Sequence, residues 1–309
     1  SYEGLPTPDF IIMKKNTFCI ILLLIGSIGL ILRVYGFVFA LEYDEIWSLE
    51  YYAGKPLSYI FTDIALPNNH PLNSLQMKLT MHIFYPWGIR IIPFLCGILL
   101  IPLSGMIGRR FWGRRAGLAS ALLIACSPPL IKYSTLARGY SLQIFLLALV
   151  GYSLSKLGRK TCDMKYAVLL LVCGICSVLT LPTSVLYLFP VGLYLLWLTW
   201  QYLTSGERKM RRRGWGLLGI SSGLALFVLL WFGMNFAQFQ QVRGWGEVLT
   251  LTTFFPWMTR LFSELGISFY SVVGVGIIAI CHQKKNVLLV LMIAFPLVMG
   301  FFTNAAPAR

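Results

Sequence analysis

The chain alternates long apolar runs with short polar breaks. Runs cover residues 17–40, 91–107 and 116–131, then one ending near 154, then 166–181, 183–203, one ending near 236, and two more beyond residue 265. A helix needs roughly 20 apolar residues to cross a bilayer. The pattern therefore predicts an all-α polytopic transmembrane bundle of about nine spans. Two segments are too long to be tight turns: 41–90 and 237–265. The first is polar and aromatic, with Pro56, Pro67, Pro71 and Pro86. It is expected to hold short helices lying along the membrane surface, one over 44–53 and one over 74–84, the latter with Leu75, Leu79 and Ile83 on one face. Residues 66–72 should be irregular, because prolines remove donors and bias their neighbours away from helix.

The run at 17–40 is too long for a signal-peptide core and has no small-residue cleavage site. It should stay in the membrane. Residues 1–12 do not read as natural sequence; Met13-Lys14-Lys15 is expected to be the natural start. Residues 13–309 then form one transmembrane domain.

Composition agrees with this picture. Hydrophobic residues make up 57% and charged residues 12%, with a mean hydropathy of +0.74; a soluble domain carries about 25% charged residues. The net charge of +15 could point to nucleic acid, but its distribution excludes that partner. Seventeen of the 26 basic residues fall on one side of the predicted spans, mainly in short turns. Setting aside residues 1–12, seven of nine acidic residues fall on the other side. By the positive-inside rule the N-terminus is cytoplasmic and both large loops are external. The expected location is a bacterial inner or plasma membrane, with the loops periplasmic or external.

Most of the seven cysteines sit inside apolar runs. They read as small buried hydrophobes rather than a disulfide framework. Cys173-Gly174-Ile175-Cys176 mimics a redox motif but lies mid-span, away from the exposure such a pair needs.

Candidate chemistry concentrates outside the membrane. Leu41-Glu42-Tyr43-Asp44-Glu45-Ile46-Trp47-Ser48 holds three of the eleven carboxylates. A carboxylate held above the bilayer can take a proton from a hydroxyl nucleophile. Adjacent helical residues point about 100° apart, so Asp44 and Glu45 would not share one proton. The plain alternative is that both solvate the loop or pair with Arg33, Lys55 or Lys78. His70, between Asn69 and Pro71, is either a structural histidine or a ligand contact. Arg138 sits at an external edge near Lys132, Tyr133 and Tyr140. It could grip a phosphate through its planar fork or snorkel toward headgroups. No metal-ligand spacing is readable; a divalent cation stays open, without a ligand set. Gly219-Ile220-Ser221-Ser222-Gly223 matches a small-residue packing pattern and carries no function.

Several motifs occur in a familiar order. Asp44-Glu45 with Trp47 follows the first span, and Asn69-His70-Pro71-Leu72 lies in the first loop. Gly108-Arg109-Arg110-Phe111-Trp112-Gly113-Arg114-Arg115-Ala116-Gly117 forms a basic turn. Ser127-Pro128, Tyr133-Ser134 and Ala137-Arg138-Gly139-Tyr140 cap the third and fourth spans. Together they resemble the C-type-fold, polyprenyl-phosphate-dependent glycosyltransferases: the protein O-mannosyltransferases and lipid A aminoarabinose transferases. The likeness is best over 33–154, and beyond that only hydropathy matches. It implies transfer of a sugar from a polyprenyl-phosphate-linked donor to a hydroxyl acceptor on a lipid, protein or glycan, with inversion, at the outer face. It makes Asp44 the candidate base, with Glu45 supporting it or binding acceptor. It places His70 and Asn69 at the substrate cleft, and Arg138, with Lys132, Tyr133 and Tyr140, at the lipid phosphate. Family members are longer, so the chain is expected to be a short member or one shortened at its C-terminus. A polyprenyl-lipid flippase or carrier, or a non-catalytic membrane scaffold, would share the basic turns without needing Asp44.

Overall fold

The computed structural model describes residues 15–63, 69–157 and 163–238. Their secondary structure is all helical. Helix α1 (Lys15–Phe37) leads to α2 (Tyr43–Ser48), which continues as a π-helical turn, Leu49–Ala53. Then come α3 (Leu57–Thr62), α4 (Pro71–Thr80) and a 3-10 turn, Trp87–Arg90, that runs into α5 (Ile91–Trp112). Helices α6 (Arg114–Cys126), α7 (Pro128–Ser134), α8 (Gly139–Lys156), α9 (Met164–Thr180), α10 (Ser184–Leu203) and α11 (Arg208–Met234) follow.

Four helical stretches, Asn16–Phe37, Trp87–Trp112, Ser184–Leu203 and Arg208–Met234, are long and apolar enough to cross a membrane, and α6 with α7 makes a fifth as a bent pair. Helices α8 and α9 also coincide with predicted runs, at 18 and 17 residues. The eighth and ninth predicted spans and nearly all of the 237–265 loop lie outside the described residues. Apolar side chains such as Leu23, Ile31, Leu229 and Leu230 face outward, as lipid-facing helices require.

The packed interior has two parts inside the bundle. One joins α8, α9, α10 and α11 through Val150, Leu170, Val178, Val191, Leu195 and Leu217. The other joins α1, α5 and α6 through Ile25, Ile101, Ala121 and Ala125. Helices α5 and α6 approach closely at glycines: a Cβ on Gly117 would stand 2.5 Å from the Gly105 carbonyl oxygen. The turn between them needs Gly113, whose φ of +92° suits no side chain. By contrast, Gly219 and Gly223 meet nothing within 4 Å, so the small-residue pattern there packs no helix among the described residues.

The third predicted span is not straight. It breaks by 60° between α6 and α7. Pro128 and Pro129 have no N–H, so the carbonyls of Ile124 and Ala125 lose their helical donors. The guanidinium of buried Arg33 replaces them: Nη2 donates to Ile124 O at 3.1 Å, and Nη1 to Ala125 O at 3.0 Å and Gly29 O at 2.9 Å.

The first loop also differs from its sequence reading in detail. The helix expected over 74–84 starts at Pro71, which suits the first helical position, and ends at Thr80. Its inward face is mostly polar, with Asn73, Ser74, Gln76 and Thr80 buried beside Met77, while Leu79 and Ile83 are exposed. Apolar periodicity selected the wrong face because most of the buried positions of this helix are polar and hydrogen-bonded. Pro71 and Leu72 are therefore helical rather than irregular; residues 64–68 lie outside the described part.

Candidate active site

Asp44 and Glu45 occupy the first turn of α2, where carboxylates favour the helix dipole. Their surroundings are opposite. Glu45 is fully buried. Arg90 grips it with two parallel bonds, Nε to Oε1 at 2.8 Å and Nη2 to Oε2 at 2.6 Å. The Ala137 N–H donates to Oε1 at 2.6 Å and the Glu42 N–H to Oε2 at 2.9 Å. Four donors thus surround one carboxylate. Arg90 donates its remaining bonds to the carbonyls of Phe37, the last residue of α1, and of Phe39 and Ala40 just beyond it. The pair ties together the end of α1, the start of α2, the start of α5 and the segment before α8.

Asp44 points elsewhere and keeps 44% of its side chain exposed. Its Oδ2 lies 2.5 Å from Nη1 of Arg138, which is only 13% exposed. Arg138 precedes α8 and is positioned through its neighbour. Ala137 is held on both sides, its N–H by Glu45 and its carbonyl by Asn73 Nδ2 at 3.0 Å. The Arg138 guanidinium carbon also stands 5.6 Å from the Tyr140 ring centre. Tyr140 in turn meets the rings of Tyr133 at 4.8 Å and His70 at 5.9 Å.

His70 is 3% exposed and neither ring nitrogen has a hydrogen-bond partner among the described residues. Burial, with Arg138 nearby, pushes its pKa down to about 3, so the ring is neutral at working pH. Gly139 allows this approach: a Cβ there would stand 3.0 Å from Thr180 Cγ2 and 3.3 Å from His70 Cβ. The ends of α4, α8 and α9 therefore converge beside Asp44.

Not every residue singled out in the sequence enters this cluster. Asn69 is buried, and its amide donates to the carbonyls of Ile60 and Asp63 while Ser74 Oγ donates to its oxygen at 3.0 Å. It joins α3 to α4. Lys132 lies 3.9 Å from Glu42, both largely exposed. Arg33 and Lys78, offered as partners for the acidic pair, are engaged by backbone carbonyls instead; Lys78 Nζ reaches Ala53 O at 3.0 Å and Lys55 O at 2.8 Å. Arg90 and Asn73 went unnoticed in the sequence. Arg90 left a signal: a cation at the mouth of an apolar run, on the side poor in basic residues, needs an internal partner. Among the described residues, no three His, Cys, Asp or Glu side chains stand together as a metal site.

No curated protein and no solved structure matches the chain. A family model does: that of the dolichyl-phosphate-mannose-protein mannosyltransferases matches residues 69–231. The match extends well past residue 154, where only hydropathy had been legible. It takes in His70, Arg90, Arg138 and Tyr140, and begins downstream of Asp44. It covers more than half of the 309 residues. The chain belongs to this family of C-type membrane glycosyltransferases.

Proposed function

We propose that the protein transfers a sugar from a polyprenyl-phosphate-linked donor to an acceptor hydroxyl at the outer face, with Asp44 as general base. The observation that carries this reading is the Asp44–Arg138 pair: a half-exposed carboxylate beside a mostly buried guanidinium. The two groups suit the two ends of the reaction. Arg138 has further donors with which to hold the departing phosphate while Asp44 accepts the acceptor's proton. The bond between the anomeric carbon and the phosphate oxygen breaks. The acceptor oxygen bonds to that carbon, and its proton passes to Asp44.

Glu45 takes a different part in this account. Its four donors leave it no room to act on substrate. It positions Asp44 and Arg138 by fixing α2 and Ala137. A single working carboxylate supports inversion, since retention needs a second carboxyl about 5 Å away across the sugar. His70 and Tyr140 line the cleft, and the ring nitrogens of His70, without a hydrogen-bond partner among the described residues, offer a neutral donor and acceptor to a substrate hydroxyl. Lys132 lies further out and would act on the phosphate only through long-range charge.

The test is a transfer assay in proteoliposomes with a labelled polyprenyl-phosphate sugar, comparing wild type with Asp44→Asn. Transfer that is lost in the variant supports the enzyme. Movement of the lipid between leaflets without transfer would favour a carrier, and neither activity would favour a scaffold.

A further inference from the structure

The far end of the bundle holds a second feature that the transfer reaction does not use. A cavity of about 310 Å³ opens between the N-terminal ends of α9 and α11, lined by Met164, Lys209, Arg212, Arg213 and Gly216. Helix α9 sets its depth. Thr180, at the C-terminal end, packs near Gly139 beside the candidate active site. Met164 begins the helix 16 residues earlier, a distance of about 24 Å. The cavity therefore sits about 24 Å along α9 from the end that packs beside the candidate active site, most of the way across a bilayer of about 30 Å, on the side where the basic turns collect.

We infer that this cavity binds the phosphate headgroup of an acidic phospholipid in the leaflet opposite Asp44. Lys209, Arg212 and Arg213 are spaced i, i+3 and i+4, so they share one helix face and repel one another. They also stand at the N-terminus of α11, which has no acidic residue in its first turn. Cations at that end oppose the helix dipole. The positive-inside rule accounts for their side of the membrane, but not for three cations converging on one cavity. An anion in it relieves both conflicts. Two carboxylates lie nearby and leave the cluster with net positive charge. Asp163, which caps α9, is paired with Lys165 Nζ at 2.8 Å and also feels Arg213; Glu207 is the exposed N-cap residue of α11. Met164 adds an apolar wall, and Trp215, 65% exposed on the next turn of α11, marks the level of the membrane interface. An apolar wall at that level fits a headgroup with its acyl chains better than a free anion.

Native mass spectrometry of the delipidated protein tests this, with phosphatidylglycerol, phosphatidylcholine or inorganic phosphate as the added probe. Wild type should retain phosphatidylglycerol over phosphatidylcholine by about tenfold or more. Lys209→Gln/Arg212→Gln/Arg213→Gln should lower that retention about tenfold. Arg208→Gln/Arg211→Gln, which changes charge on the same helix outside the cavity, should alter it less than about twofold. Millimolar inorganic phosphate should not displace the lipid. Equal retention of both lipids, equal loss in both variants, or displacement by phosphate would each overturn the proposal. Should the triple variant fail to fold, the three single variants carry the test; each is expected to lower retention, and three unchanged singles would overturn it.

Discussion

Glu45 and Arg90 close a two-pronged ion pair across 45 positions of sequence, with both side chains buried to within 1% exposure. Neither group reaches solvent, so each is the other's counter-charge. Removing one partner of such a pair typically costs about 3–5 kcal/mol, because the remaining charge stays buried. Glu45→Gln is expected to lower the unfolding temperature in detergent markedly and to disturb catalysis only through folding and positioning. Glu45→Met combined with Arg90→Met should regain part of the loss. An unchanged melting temperature in Glu45→Gln would contradict the keystone role.

Arg33 should behave in the same way for a different reason. It supplies donors to the carbonyls of Ile124 and Ala125, which Pro128 and Pro129 cannot serve. Arg33→Met leaves both without a partner, at about 1–3 kcal/mol each. Thermal unfolding in detergent should show the loss. A variant as stable as wild type would mean that the bend is held by other contacts.

Arg138 makes the sharpest substrate prediction. If it holds the donor phosphate, Arg138→Ala should raise the donor KM strongly and leave the acceptor KM little changed. Arg138→Lys should restore little, because the planar fork is gone. Steady-state kinetics with donor varied at fixed acceptor decide the matter. An unchanged donor KM would return Arg138 to a structural partner of Asp44.

His70 gives a pH dependence with a definite sign. Its pKa is pushed down to about 3, below the usual value near 6.5. Between those values the unfolded chain binds a proton that the folded chain refuses. Stability from this group is complete above about pH 6.5, declines as pH falls and is lost by about pH 3. His70→Gln should therefore flatten the fall in melting temperature between about pH 7 and about pH 4. Equal slopes in variant and wild type would mean that the buried ring titrates normally.

Much of this architecture was legible in the sequence. The first span, the acidic turn after it, the basic turns and the cation before α8 all follow from apolar periodicity and charge placement. What stayed hidden depends on contacts between distant residues. Asp44 and Glu45 are neighbours of the same chemistry, yet one meets Arg138 and the other Arg90, and no local pattern assigns those partners. The bend after Cys126 was hidden differently. Pro128 and Pro129 announce a break, but the apolar run continues across them, and the donors that serve the freed carbonyls come from Arg33 on α1. Helix α4 defeated the periodicity because it buries Asn73, Ser74 and Gln76, which donate to the Ala137 carbonyl, the Asn69 side-chain oxygen and the Ile89 carbonyl.

The central claim is that Asp44 removes the acceptor's proton. General-base assistance is typically worth 10²–10⁴-fold, or roughly 3–5 kcal/mol of barrier. Asp44→Asn keeps the side chain's shape and its place on α2. The decisive measurement is kcat for sugar transfer by this variant in proteoliposomes, at saturating donor and acceptor, with folding checked by its melting temperature. The account predicts a fall of about 10²–10⁴-fold with an unchanged melt. A folded Asp44→Asn variant that transfers sugar at a near-normal kcat would contradict it.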